Sequence, residues 1–281
     1  MRNPEPISYF LNMLEMLSLE FMCNAFVAAF LVAVACGIMG SYVVVNRISG
    51  TAGGVAHASF GGIGLACFCG FSPMLGALGV ALVCAFVMGY LTWKDRERSD
   101  TLVNVIWAGG MAAGVILTDL TPGYSGDLMS FLFGSILTVP QELLWGMAAL
   151  AFVVLSVTAF FFRDFLAISH DPEFARVRGV PVLRLYMLLM ALVACTVVMA
   201  VQTVGLILVI ALLTIPAYVA ESHSKNLKQM MVLSCLLSAA LSVSGLLVAY
   251  VLNFTVGPVI ILFGVLLYAL NWAFLKFRNS R

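Results

Sequence analysis

The sequence predicts an all-α, polytopic membrane helix bundle of about eight or nine transmembrane helices. Hydrophobic residues make up 63% of the chain and charged residues only 10%, against roughly 25% charged in a soluble domain. Apolar runs of about 20 residues, each long enough to cross a bilayer as a helix, recur along the whole length. The strand-length alternation of a membrane β-barrel is absent. No soluble domain or long polar linker interrupts the pattern, so residues 1–281 are expected to form a single membrane-spanning domain.

Residues 1–20 alternate acidic and apolar positions, and Phe10, Leu11, Leu14 and Leu17 fall near helical spacing. A short interfacial helix fits them. Spans then follow over about Phe21–Val45, the glycine-rich Thr51–Phe71, a third from Pro73 to near Trp93, and Thr101–Leu117 after the charged loop KDRERSD. Asp119 to Pro140 is less apolar and is broken by Pro122, Gly123 and Gly126, so its DLMSFLFGSIL suits a short or re-entrant helix. Further spans cover about Glu142–Phe162, Leu185–Val201, Val204–Ala220, Met230–Leu252 and Gly257–Leu275, with a polar stretch at 163–184. No basic leader followed by a small-residue cleavage site opens the chain, so no cleaved signal peptide is expected.

Charge orients the bundle. If the first span runs from outside to inside, 13 of the 14 basic residues fall on the inner side, from Arg47 through Arg163, Arg176, Arg178, Arg184, Lys225 and Lys228 to Arg281, and only Arg2 lies outside. That is the positive-inside bias. It places the C-terminus in the cytoplasm. Asp119, Asp127 and Glu142 then line an outer, anionic mouth. Such acids either solvate loops or raise the local cation concentration.

Ionisable groups inside a bilayer are functional candidates because they are costly there. His57, in GGVAHASFGGIGLA, is the clearest one. It is either a hydrogen-bonded packing residue or a ligand on a metal path. Around it, Gly50, Gly53, Gly54, Gly61 and Gly62, and further on Gly110 and Gly114, suit close helix approach or gating. On the inner side, SHDPEFARVRGVP reads as a short helix outside the bilayer. Asp171 caps it, Pro172 and Glu173 suit its first turn, and Gly179 ends it. Phe174 and Arg178 would meet a soluble partner. The seven cysteines lie in or beside apolar runs without a Cys-x-x-Cys pair and read as small buried hydrophobes. No phosphate-binding Gly-x-x-x-x-Gly-Lys-Ser/Thr loop and no His-Glu-x-x-His motif is present. Any energy source is therefore an ion gradient or a separate ATPase.

The blocks AHASFGGIGLA, SDTLVNVIWAGGMAAGV, GDLMSFLFGSILTV, HDPEFARVRGV and VGLILVIALLTIPAYVA, in this order, resemble the permeases of the zinc/manganese-type metal-ion ABC importers, the ABC-3 family. The likeness covers about Phe21 to Phe277. It implies a permease without an ATPase motif or bound cofactor, paired with a second copy of itself. The partners it implies are a cytoplasmic ATP-binding cassette subunit that carries the ATP and an extracytoplasmic metal-binding protein. It further implies a prokaryotic inner membrane, a divalent transition-metal cargo (zinc, manganese or iron), and HDPEFARVRGV as the coupling helix. His57 matches a family histidine on the metal path. Many members carry an aspartate four residues earlier, where this chain has Gly53. Nucleic acid is not among the expected partners. The competing readings are a permease for a bulkier metal chelate, such as a siderophore or cobalamin, and a gradient-driven secondary transporter.

Topology gives the first test. Cysteines introduced at Ser99 and Ser280, in a background without Cys23 and Cys69, should resist an impermeant thiol reagent in intact cells and react after permeabilisation. Labelling from outside at either position overturns the orientation.

Overall fold

The computed structural model describes residues 20–94, 99–121, 134, 136 and 139–279. The N-terminal segment before Glu20, Asp127 and the rest of the re-entrant candidate except residues 134 and 136, most of KDRERSD, and Ser280 and Arg281 lie outside the described residues.

Eleven helices are described, in chain order α1 Glu20–Val45, α2 Ser49–Cys69, α3 Pro73–Lys94, α4 Ser99–Asp119, α5 Gln141–Phe160, α6 Phe162–His170, α7 Pro172–Val177, α8 Val182–Val204, α9 Leu206–His223, α10 Leu227–Leu252 and α11 Val256–Asn279. Among the described residues there is no strand, and nine helices are long and apolar enough to cross a membrane. Helices satisfy every mid-segment backbone donor and acceptor internally, which the bilayer interior requires. Hydroxyls follow the same rule. Ser41, Thr118, Thr196 and Thr214 each donate to the carbonyl one turn earlier, at 2.7–2.9 Å. Each expected span coincides with one of these nine helices, with ends displaced by up to a few residues.

Side-chain contacts tie the helices together at one end of the bundle. Asn46, after α1, donates from Nδ2 to Ser169 Oγ of α6 at 2.9 Å. Arg176 of α7 stands 5.8 Å from the Trp93 ring of α3. Lys228 of α10 lies 5.2 Å from the Phe162 ring, and His223 at the end of α9 bonds Asn271 of α11 at 2.7 Å. Two of the basic residues expected on the inner side, Arg176 and Lys228, take part in these contacts.

Where the sequence shows almost no polar break between two spans, the structure has a one-residue corner. α8 ends at Val204 and α9 begins at Leu206. Gly205 between them adopts φ 82°, ψ 162°, a region open essentially only to glycine. The chain reverses there, since the start of α8 and the end of α9 lie at the same end of the bundle.

α2 packs most extensively on α4 and α3, and α1 on α10 and α9. Within one protomer α2 is 72% buried over its span, whereas α4 is 17% buried and presents most of its surface outward. Glycines set the close approach. A methyl group added to Gly61 would stand 2.7 Å from the Gly110 carbonyl oxygen, and one on Gly64 would strike that of Gly114. Gly62 and Gly76 of α3 face each other in the same way. By contrast, nothing lies within 4 Å of a methyl at Gly50.

Gly64→Val should therefore lower the melting temperature in detergent clearly, because overpacking typically costs about 1–3 kcal/mol. Gly50→Ala should leave it unchanged or slightly raised. Equal melting of the two variants would show that α2 and α4 are not held at backbone contact.

Candidate functional site

α2 carries His57 on the side that faces α4, half-buried. The imidazole stacks on the Trp107 indole with centroids 4.3 Å apart and planes 22° from parallel. Its Nδ1 lies 3.2 Å from Met111 Sδ. Trp107 Nε1 donates to the same sulfur at 3.4 Å. Trp107 and Met111 are one turn apart on α4, so they share one face of that helix. A thioether only accepts hydrogen bonds, so the His57 contact is a hydrogen bond when Nδ1 carries the proton. That tautomer leaves the Nε2 lone pair free, and among the described residues Nε2 has no partner.

Gly53 lies one turn before His57 and is buried. A methyl there would meet only Ile210 Cδ1, at an ordinary 3.6 Å. The position has room for a side chain, but its surroundings are apolar. Gly54 is tighter, with Val103 Cγ1 2.7 Å from such a methyl. Gly53, Gly54, Gly61 and Gly62 thus face other helices of the same protomer, whereas Gly50 faces open space. Among the described residues, no three His, Cys, Asp or Glu side chains converge on one point. The grouping thus offers one free imidazole nitrogen and one thioether already engaged by two N–H groups, too few donors for a tight metal site.

Asp119 closes α4 and Glu142 stands in the first turn of α5, both exposed. The other two histidines lie away from this site, His170 at the end of α6 and His223 against Asn271.

The end of the bundle that carries Asn46 and Lys228 presents a two-helix element. α6 carries Phe165 and Ile168 on its buried side. Phe165 packs edge-on against Tyr42 of α1, with centroids 5.6 Å apart. α7 follows. Asp171 caps it, accepting from the backbone N–H groups of Glu173 and Phe174 at 3.0 and 2.9 Å. Pro172 occupies the first helical position. At the other end Gly179 has φ +81°, its N–H donates to Arg176 O, and that of Val180 donates to Ala175 O. Those two bonds form a Schellman motif. Ala175 is buried, while Phe174 and Val177 are 58% and 85% exposed and Glu173 is exposed. The Arg178 guanidinium lies 5.8 Å from the Phe174 ring centre. α7 is a locally rigid knob with an apolar tip pointing away from the bundle.

Two features escape a reading of the sequence alone. α6 is hidden in what reads as one polar stretch, although Phe162, Phe165 and Ile168 recur at helical spacing. Trp107 and Met111 sit one turn apart within SDTLVNVIWAGGMAAGV, but nothing in one sequence says that they face His57.

Among the described residues, nine helices able to cross a bilayer, a capped two-helix element at one end and a half-buried imidazole within a span fit the membrane subunit of a transporter. The chain belongs to the ABC 3 transport family, which it matches over residues 18–275. It is 47% identical over 262 residues to an uncharacterized membrane protein of Synechocystis, covering 93% of both chains. It is 32% identical over 253 residues to the manganese import system permease protein ScaB of Streptococcus gordonii, covering 90% of this chain and 91% of that one. Among solved structures, PsaBC from Streptococcus pneumoniae in complex with Fab aligns with a TM-score of 0.84 and 29% identity, over 95% of each chain.

Phe174→Ala should uncouple ATP hydrolysis by the partner subunit from uptake, and Asp171→Ala should loosen α7 by about 0.5–2 kcal/mol. The membrane domain should melt as before in both. Normal assembly and transport in both variants would remove α7 from the coupling path.

Proposed function

We propose that this chain is the permease subunit of an ABC importer that moves a divalent transition-metal ion into the cell. Two copies form the membrane part. A separate cytoplasmic ATP-binding subunit supplies the energy, and an extracytoplasmic binding protein delivers the ion. Family membership supports the transporter class, and the name of the Streptococcus gordonii relative supports a metal cargo. The structural observation that carries the reading is His57, a half-exposed imidazole with a free lone pair in the most buried spanning helix.

The acids at Asp119 and Glu142 raise cation concentration at the outer end. Asp127 is assigned to the same mouth. The ion then passes His57, where neutral imidazole offers a lone pair and protonation would repel it. Met111 holds the ring through Nδ1, and Trp107 fixes its plane. The tight backbone contacts of α2 with α3 and α4 support a small bare ion over a bulky chelate. ATPase motion enters at Phe174 and Val177. It reaches α3 through Arg176 and Trp93 and α1 through Phe165 and Tyr42. The cargo is left as a class, because the affinity order of divalent metals is common to most N/O/S sites.

Metal uptake in a strain lacking the native permease tests this. His57→Ala should lower zinc, manganese or iron uptake by at least about tenfold, the range seen when metal-site groups are removed. Dimer assembly and basal ATPase activity should persist. His57→Gln can still donate to Met111 Sδ but lacks the imidazole lone pair, so it should keep the melting temperature and not the uptake. Full uptake by the Gln variant would make His57 a packing residue.

A further inference from the structure

A long apolar groove runs down the outer surface of the protomer between α1, α5 and α10. Its volume is about 790 Å³, with walls formed by residues such as Phe30, Val34, Leu155 and Leu236. Two cations close its inner end, Arg163 at the start of α6 and Lys228 in the first turn of α10. Both are exposed. Lys228 rests 5.2 Å from the Phe162 ring, which holds its ammonium over the mouth of the groove. Asp164 follows Arg163 in the chain, yet among the described residues neither cation makes an ion pair. Thr158, about one and a half turns deeper, lines the same groove and is 5% exposed. Its hydroxyl has no hydrogen-bond partner, unlike those of Thr118, Thr196 and Thr214.

The dimensions identify the occupant. From Lys228 to Ala239, the deepest lining residue of α10, the groove covers eleven residues of helix, or roughly 16 Å at about 1.5 Å per residue. That is one leaflet of a hydrocarbon core about 30 Å thick. Apolar walls one leaflet deep, ending in two unpaired cations at headgroup level, match one amphiphile with a negative head. Basic pockets between spanning helices on the cytoplasmic side are where anionic headgroups bind.

We infer that this groove is a binding site for an anionic glycerophospholipid of the inner leaflet, with its phosphate between Arg163 and Lys228 and an acyl chain along α1 and α10. The leaflet assignment rests on the orientation proposed above. Arg163 lies next to Phe162 and two residues before Phe165, the residue that anchors α6 on α1. A bound phosphate therefore braces the root of the two-helix element that carries α7.

Native mass spectrometry of the full chain with its ATP-binding subunit, delipidated and then offered mixed micelles of phosphatidylglycerol and phosphatidylcholine, tests the site. Wild type should retain phosphatidylglycerol preferentially. The double variant Arg163→Gln/Lys228→Gln should lose those adducts by about tenfold or more, the scale of removing two charge contacts, with phosphatidylcholine adducts unchanged. The charge-preserving Arg163→Lys/Lys228→Arg should keep them. Equal retention by wild type and the Gln variant overturns the site, as does equal loss in both variants. A change of oligomeric state in the Gln variant assigns the groove to a subunit interface and overturns it too. The readout needs no metal, ATP or transport, so its failure and a failure of the importer reading are separately visible.

Discussion

Backbone contact along α2 is the constraint on which the rest of the molecule depends. In a bilayer no hydrophobic force drives apolar helices together, so association relies on close packing. Gly61 against Gly110, Gly64 against Gly114 and Gly62 against Gly76 bring three backbones together without side chains between them. That contact fixes the rotation of α2 about its axis, and with it the direction of His57. Gly110 precedes Met111 in the chain, so the packing that seats α4 also delivers the thioether and the indole to the imidazole. Site geometry here is inherited from helix packing.

The inner face shows the same economy of means. α6 is short, amphipathic and anchored by one aromatic pair, Phe165 on Tyr42. α7 contributes one buried residue, Ala175, half-buries Pro172 and exposes the rest. A helix of six residues has little stability of its own. Its order comes from the Asp171 cap, Pro172 and the Schellman bonds around Gly179, which are local and independent of the membrane. The element keeps its shape while standing clear of the bundle, as a docking knob must.

Much of this was legible in the sequence, because the bilayer imposes a length on each span and charge imposes a direction. The ends of all nine spans fall within a few residues of where the apolar runs stop, and the caps of α7 are written in DPEFARVRGVP. What stayed hidden is rotational and relational. Glycines in α2 announce close contact but not with which helix: Gly54, Gly61, Gly62 and Gly64 face α3 and α4, Gly53 faces Ile210 of α9, and Gly50 faces open space. His57 was visible as an ionisable residue in a span. Trp107 and Met111 were not, because a lone aromatic and a lone methionine in an apolar run look like packing until a second helix is placed beside them. The absent carboxylate at Gly53 was visible too, and the apolar setting beside Ile210 shows that no other acid takes its place there among the described residues.

The corner at Gly205 bears on how this chain can change length. Surface loops absorb insertions readily, but the joint between α8 and α9 is one residue long and sits in a conformation only glycine adopts. Each residue added to or removed from the start of a helix turns all that follows by about 100°. A single-codon insertion there would rotate α9, with its buried Pro216, Leu213 and Val209, off the faces of α1 and α10. Indels in this half of the protein are thus confined to the polar connection after His223 and to the turn after Leu252, and α8 and α9 must vary by substitution alone.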